Sequence, residues 1–343
     1  MTGALRLDLD QAEQPAPVDP TALSLNENPF PPLPSVREAI DTAVRAANRY
    51  PEFLPERLRR VIGSHIGVDA AQVVIGAGAT GVAMQVLSAV TSPGDRIVMT
   101  TPTFDGYPIL ARMARLSPVV IPLDRRGHHD LDAMADAAAG ARVVVLCRPH
   151  NPTGTLETPA DVHRFLLRVP AETVVLIDEA YIEFVARQLR LDTRALIAQF
   201  PNVVVVRTFS KAYGLAGIRV GYGFCAPELA RTLWAMQMPF GTASTGVAAV
   251  TASYAAEDQL RRRVAAVSAE RNFLRSQLSN LGVVSTSSHA NFLYLPRRDV
   301  PWAEVFADSG LRVRSYDDGG VRITVGERTS SRAVLRAVRT VQR

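Results

Sequence analysis

Of the 38 lysines and arginines in this 343-residue chain, one is a lysine: Lys211, in the stretch Thr-Phe-Ser-Lys-Ala-Tyr-Gly at 208–214. Arginine serves wherever a side chain only has to be charged and wet. It cannot serve where an amine must shed its proton and attack a carbonyl, because guanidinium stays protonated at any working pH. A retained lysine therefore points to carbonyl chemistry through a Schiff base. A composition rich in alanine and arginine gives a second account of the same count, so the neighbours of Lys211 must decide.

Those neighbours lie at the ends of strands. Short β-rich runs fall at 72–75, 96–100, 119–123, 142–146, 173–177, 202–207 and 219–224. Most are continuously apolar, the mark of strands covered on both faces in a mostly parallel sheet. Helices fit between several of them, near 80–90, 105–115 and 159–168. The pattern predicts an α/β fold built on a large doubly wound, mostly parallel sheet. Ligands in such folds bind beyond the carboxyl ends of the strands. The strand ends here carry Ala79 and Thr80 in a glycine turn, Phe104, Asn151, Asp178, Tyr181, and then Ser210, Lys211 and Arg219. An amine, a carboxylate, an amide, a phenol, a ring and a phosphate-binding turn thus meet at one edge.

The glycine turn at 76–81 also matches the dinucleotide pattern G-x-G-x-x-G. That pattern needs an acid at the end of the next strand. Asp95 stands at the start of it instead, in Ser-Pro-Gly-Asp. The glycines fit the more general role of bringing helix N-terminal amides to a phosphate.

Beyond about residue 245 the texture changes. A long amphipathic helix fits 257–280, the runs 290–295, 311–314 and 321–325 alternate like half-exposed strands, and a last helix fits 329–341. Residues 1–30 read as an arm, 31–245 as a large cofactor-binding domain, and 246–343 as a smaller α+β domain. Ser35 reads as the cap of a helix reaching about Ala47.

Composition narrows the rest. The net charge of +5 is spread along the chain. Its densest runs, Arg57–Arg60 and Arg261–Arg263, read as solvated helix faces and not as a nucleic-acid surface. Cys147 and Cys225 end apolar runs and read as buried, reduced thiols. No apolar run approaches the length of a bilayer span, and the N-terminus has no signal-peptide pattern, so the expectation is a cytoplasmic protein. His128 and His129 read as exposed turn residues, and no metal-ligand spacing is present.

The pieces Leu-Asn-Glu-Asn-Pro (25–29), Asn-Arg-Tyr-Pro (48–51), Asn-Pro-Thr-Gly (151–154), Asp-Glu-Ala-Tyr (178–181), Thr-Phe-Ser-Lys-Ala-Tyr-Gly-Leu-Ala-Gly-Ile-Arg-Val-Gly-Tyr (208–222) and Val-Arg-Ile-Thr-Val-Gly (321–326) occur together and in order. With them the chain resembles the fold-type I pyridoxal-phosphate aminotransferases, in particular the histidinol-phosphate family and its aromatic (phenylalanine) relatives. The resemblance implies pyridoxal 5′-phosphate as cofactor, with Lys211 as its covalent anchor and proton carrier. It implies that Asp178 meets the ring nitrogen, Tyr181 and Asn151 the ring oxygen, and Phe104 the ring face. Ser210, Arg219 and the amides near Ala79 and Thr80 would take the phosphate, joined by Tyr50 from the other subunit of a homodimer. Asn26, Arg314 and Arg322 would face the substrate, with Arg322 on its α-carboxylate and Arg314 matching a phosphate-reading arginine.

Two departures leave the amino donor open between histidinol phosphate, an aromatic amino acid and another compact amine. Residues 1–24 contain no aromatic side chain where the histidinol-phosphate enzymes carry a tyrosine, and Thr80-Gly81 stands where an acid is usual. A threonine-phosphate-type decarboxylase and a non-catalytic cofactor-binding protein are the alternatives on the same scaffold.

Overall fold

A computed structural model describes residues 18–297 and 300–340. Most of the expected N-terminal arm lies outside those residues. Ten strands are present among them: β1 Val73–Gly76, β2 Arg96–Thr101, β3 Ser117–Pro122, β4 Val143–Cys147, β5 Val174–Asp178, β6 Val203–Thr208, β7 Gly221–Cys225, β8 Phe292–Leu295, β9 Arg314–Ser315 and β10 Val321–Thr324. The first seven form one sheet in the order β1-β7-β6-β5-β4-β2-β3. Strands β2 to β6 pair in parallel, whereas β7 runs against both β6 and β1.

The apolar runs make this sheet because each strand feeds two cores. Val144 and Leu146 of β4, Val175 and Ile177 of β5, and Val203 and Val205 of β6 enter one core. The intervening Val143, Val145, Val174, Leu176, Val204 and Val206 enter the other. Successive side chains on a strand point to opposite faces, so a strand covered on both sides must be apolar throughout. Edge strand β3 shows the converse, with most of its residues at least partly exposed and Pro118 and Pro122 blunting further pairing.

The small sheet β8-β10-β9 is antiparallel. Its strands do not have the half-exposed character that alternation suggests, because β8 and β10 are buried along their whole length. Leu293, Leu295, Val321 and Ile323 face a third core with the helices Glu257–Asn280 and Arg328–Arg339. The polar residues between them, Arg322 and Thr324, are covered by residues 24–26 and the large sheet's loops. The expected strand at 311–314 shrinks to β9, and Arg312 instead bridges Ala22.

Two other readings are corrected. Helix Pro34–Val44 starts at Pro34 with Leu33 as its N-cap, so Ser35 lies inside the first turn and caps nothing. In the arginine run, Arg59 is buried: its guanidinium lies 3.8 Å over the Trp234 ring and donates to the carbonyls of Val73 and Ala71 at 2.8 Å. It satisfies backbone groups that entry into β1 leaves unpaired.

At Gly221 the close approach admits no side chain. A Cβ there would stand 2.3 Å from the carbonyl carbon of Gly78 and 2.4 Å from the amide of Ala79. Both are backbone atoms that cannot swing away. Gly221→Ala is expected to lower unfolding free energy by about 1–3 kcal/mol, read as a reduced urea midpoint with unchanged slope.

Candidate active site

The strand directions place the chemistry. β1, β2, β4, β5 and β6 all end at one edge, and β7 starts there. Arg219, just before antiparallel β7, therefore meets residues that follow the parallel strands. A cleft of about 280 Å³ at this edge is lined by Ala79, Thr80, Phe104, Asn151, Asp178, Tyr181, Ser210, Lys211, Arg219 and Arg322, and also by Asn26. Eleven of the thirteen residues singled out from sequence thus share one cavity. Tyr50 and Arg314 do not line it. Tyr50 is 83 % exposed beside Phe240, and Arg314 pairs with Asp105 at 3.1 Å on the rim.

Asp178 ends β5 and is buried. Its Oδ2 accepts from the Tyr107 hydroxyl at 2.7 Å and its Oδ1 from the Ala180 amide at 3.0 Å. Burial pushes its carboxyl above the usual range, and the Tyr107 hydrogen bond opposes that rise. No ion pair to Asp178 occurs among the described residues. A buried carboxylate without a cation is costly, so the site fits a ligand that brings an N–H⁺ to it.

Lys211 follows β6 and is half-buried, with its Nζ donating to the Leu25 carbonyl at 2.8 Å. Burial, with Arg322 and Arg219 nearby, pushes its ammonium down to about 8 against the pull of Glu27 and Asp178. A lysine so placed presents a far larger fraction of neutral amine near physiological pH than an ordinary lysine does.

Arg219 also lacks a carboxylate among the described residues. It donates to Ser210 Oγ at 3.2 Å and to the carbonyls of Ala216 and Ala77 at 2.7 and 3.1 Å. The turn beneath it is tight, since a Cβ on Gly78 would lie 2.3 Å from Arg219 Nη2. Helix Gly78–Val90 begins there without a side-chain cap, which leaves its first amides free. An uncompensated guanidinium, a hydroxyl and open helix amides make a cup that fits a phosphate.

On the opposite wall, Arg322 donates to Asn151 Oδ1 at 2.5 Å and to the Tyr316 hydroxyl at 3.0 Å, while its buried Nε has no partner. Asn26 donates to the Tyr181 hydroxyl at 2.9 Å and receives Thr324 Oγ1 at 3.1 Å. Burial raises the Tyr181 hydroxyl, and Arg322 and Asn26 oppose that rise. Asn26 and Arg219 both adopt the left-handed backbone region, with φ of 54° and 59°. Strained non-glycine residues of this kind gather at functional sites.

A model of the aminotransferases of class I and II matches residues 18–338. The chain belongs to this family. As an aminotransferase it is an enzyme that transfers amino groups, and its relatives agree. It is similar to the aromatic amino acid aminotransferase of Cutibacterium acnes, 43 % identical over 89 % of this chain and 87 % of that one. The enzyme of the same name from Rhodococcus opacus is 40 % identical over 98 % and 95 %. Among solved structures, histidinol-phosphate aminotransferase from Sinorhizobium meliloti, in complex with pyridoxal-5′-phosphate, superposes with a TM-score of 0.87 at 26 % identity, covering 99 % of each chain. No helix among the described residues of the aminotransferase is long and apolar enough to cross a membrane.

Sequence reasoning missed Tyr107, Asp105 and Tyr316. Tyr107 lies in the first turn of helix Gly106–Met113, with its ring edge-on to Phe104 and centroids 5.7 Å apart, so nearness to Phe104 in the chain was the available clue. The histidine reading is corrected. His129 is buried against Glu157 at 2.9 Å, and His128 is only partly exposed, 3.5 Å from the same carboxylate. They tie the 124–130 loop to Glu157, and Thr153 and Thr155 tie it further by both donating to the Gly127 carbonyl.

With no cofactor bound, modification of the Lys211 side chain by an amine reagent should rise through about pH 8. An ordinary lysine would respond about two units higher. Intact-mass analysis against pH checks this, because no other side-chain amine competes.

Proposed function

We propose that the cleft binds pyridoxal 5′-phosphate and that the enzyme moves an amino group between an aromatic amino acid and a 2-oxo acid, with histidinol phosphate as the second candidate donor. One observation carries the reading: a lone, readily deprotonated amine opens into a cavity holding an unpaired buried carboxylate and an unpaired arginine over a glycine turn. The relatives named for aromatic amino acids support the donor.

When bound, the cofactor supplies an electron sink for negative charge developing at the substrate Cα. Lys211 is the amine that would anchor the cofactor, and its Nζ would carry the proton to and from the substrate Cα. Asp178, hydrogen-bonded by Tyr107 and the Ala180 amide, would accept from the ring nitrogen. Tyr181 and Asn151 would hold the ring oxygen, Phe104 the ring face, and Ser210, Arg219 and the amides at Ala79 and Thr80 the phosphate. Arg322 takes the substrate α-carboxylate as a charge-assisted pair, with Asn26 buttressing Tyr181 beside it.

Tyr50 belongs to the phosphate site of a partner subunit in this reading. Support comes from the exposed apolar side chains of Tyr50, Phe53, Met238 and Phe240, with the Tyr50 and Phe53 rings packed on Phe240. The free thiols Cys147 and Cys225 fit the cytoplasm. The division into a large cofactor-holding body and a smaller C-terminal one is part of the same proposal.

Protein supplied with the cofactor should show a visible absorption band that borohydride abolishes, leaving the reduced group on the peptide containing Lys211. Absence of that adduct refutes the cofactor assignment. Lys211→Ala should lose turnover while keeping weak cofactor binding in the phosphate cup. Mixing Tyr50→Phe with Lys211→Ala subunits should give hybrid activity that is not the sum of the parents, and strict additivity would remove the shared site.

A further inference from the structure

The turn that carries Asn151 is fastened by a buried imidazole that no step above uses. His150 directly precedes Asn151 and is fully buried. Its backbone closes the turn: the His150 amide donates to the Thr155 carbonyl at 2.9 Å, and the Gly154 amide donates to the His150 carbonyl at 2.7 Å. Its ring lies between two hydroxyls. Nδ1 stands 2.8 Å from Thr153 Oγ1, and Nε2 stands 3.3 Å from Thr100 Oγ1 near the end of β2. Burial, followed by the neighbouring His129 ring, drives the His150 imidazolium far below its usual range, so the ring is neutral.

A neutral imidazole has one N–H and one bare nitrogen, and the surrounding groups decide which is which. Thr153 Oγ1 and Thr155 Oγ1 lie 2.8 Å apart, and they stand 2.8 and 2.7 Å from the Gly127 carbonyl. Those three oxygen–oxygen contacts share two hydroxyl protons. Giving one proton to the ring would leave two of the contacts bare, whereas keeping both leaves only one bare. Thr153 therefore accepts from the ring, Nδ1 carries the hydrogen, and the bare Nε2 accepts from the Thr100 hydroxyl. The result is a directed chain of donors from β2 through His150 to the 124–130 loop.

This chain bears on the cleft through Asn151. The Asn151 side-chain oxygen accepts from Arg322 at 2.5 Å, which leaves its Nδ2 to donate within the cavity that Asn151 lines. A shift of the turn would move that donor and the support of Arg322 together. Resting on the cofactor and aminotransferase reading above, we propose that His150 is a positioning residue: as the Nδ1–H tautomer it locks Thr153 to the Gly127 loop and so fixes Asn151 between the cofactor's ring oxygen and Arg322. The hydrogen at Nδ1 is the part of the ring that matters. An asparagine amide overlays Nδ1 and can donate there, whereas a glutamine amide extends to the place of Nε2 and cannot.

The test uses wild type, His150→Asn and His150→Gln, with folding of each checked by urea unfolding. Nitrogen-15 spectra of histidine-labelled wild type, with the His150 signals assigned by their loss in His150→Asn, should show Nδ1 protonated and Nε2 bare, unchanged between about pH 6 and pH 8. With cofactor supplied, the pH midpoint of the visible band reports on the donor to the ring oxygen. Calorimetry with the unreactive carboxylate 3-phenylpropionate reports on Arg322. His150→Gln should move the midpoint by about half a unit or more and weaken 3-phenylpropionate about fivefold, the scale of one lost hydrogen bond. His150→Asn should match wild type in both. Should His150→Gln not fold, the nitrogen spectra and His150→Asn still decide. A ring protonated at Nε2, a folded His150→Asn that loses both properties, or a folded His150→Gln that keeps them overturns the proposal while the cofactor reading stands. A wild type that forms no band abolished by borohydride overturns both together.

Discussion

A carboxylate buried without a cation sets the terms for this molecule. Asp178 terminates the central strand of a sheet covered on both faces, where an unpaired charge is expensive. The hydroxyl of Tyr107 and one backbone amide partly offset that expense. Around it stand Lys211, Arg219 and Arg322, which have hydrogen bonds but no carboxylate partner among the described residues. Charges of both signs are thus held apart by the fold when they could have been paired. Only a ligand carrying complementary charges in the right order completes them, and this reserve of unsatisfied electrostatics is what a preorganised site consists of.

Topology makes the separation possible. Parallel strands deliver their successors to one edge, and antiparallel β7 returns Arg219 to that same edge from the opposite direction. Close contact of Gly221 with the Gly78–Ala79 backbone presses the glycine turn under the guanidinium. Residues 22–28 then run between the two sheets. They touch Thr324 of the small sheet and Arg312 beside it, and Tyr181, Lys211 and Ala212 in the loops that follow β5 and β6. The cleft is bounded by chain from three distant parts of the sequence.

Much of this was legible beforehand. Continuously apolar runs imply a sheet buried on both faces, and reading the residue after each run gathers most of the cleft. What stayed hidden has a common cause. Arg59, His129 and the small-sheet strands carry polar residues into the interior, and sequence pattern assigns polar residues to the surface by default. Arg59 caps backbone carbonyls over an indole ring, His129 is hydrogen-bonded to Glu157, and Arg322 and Thr324 are covered by the segment near Asn26. In each case the compensating partner is remote in sequence, by 28 residues for His129 and Glu157 and by 298 for Asn26 and Thr324. Tyr107 and Asp105 were missed for a different reason. Each acts through a neighbour, and a residue type gives no sign of which neighbour it serves.

The solitary lysine also makes the chain unusually simple to dissect. A protease that cleaves only after lysine has one bond to attack, between Lys211 and Ala212, and Ala212 is fully buried. That bond separates a fragment bearing Asp178 and Tyr181 from one bearing Arg219 and Arg322. The folded chain shields it, so each cut records a molecule that has opened at the cleft. The residue that defines the chemistry doubles as a single-site gauge of how often the surrounding architecture comes apart.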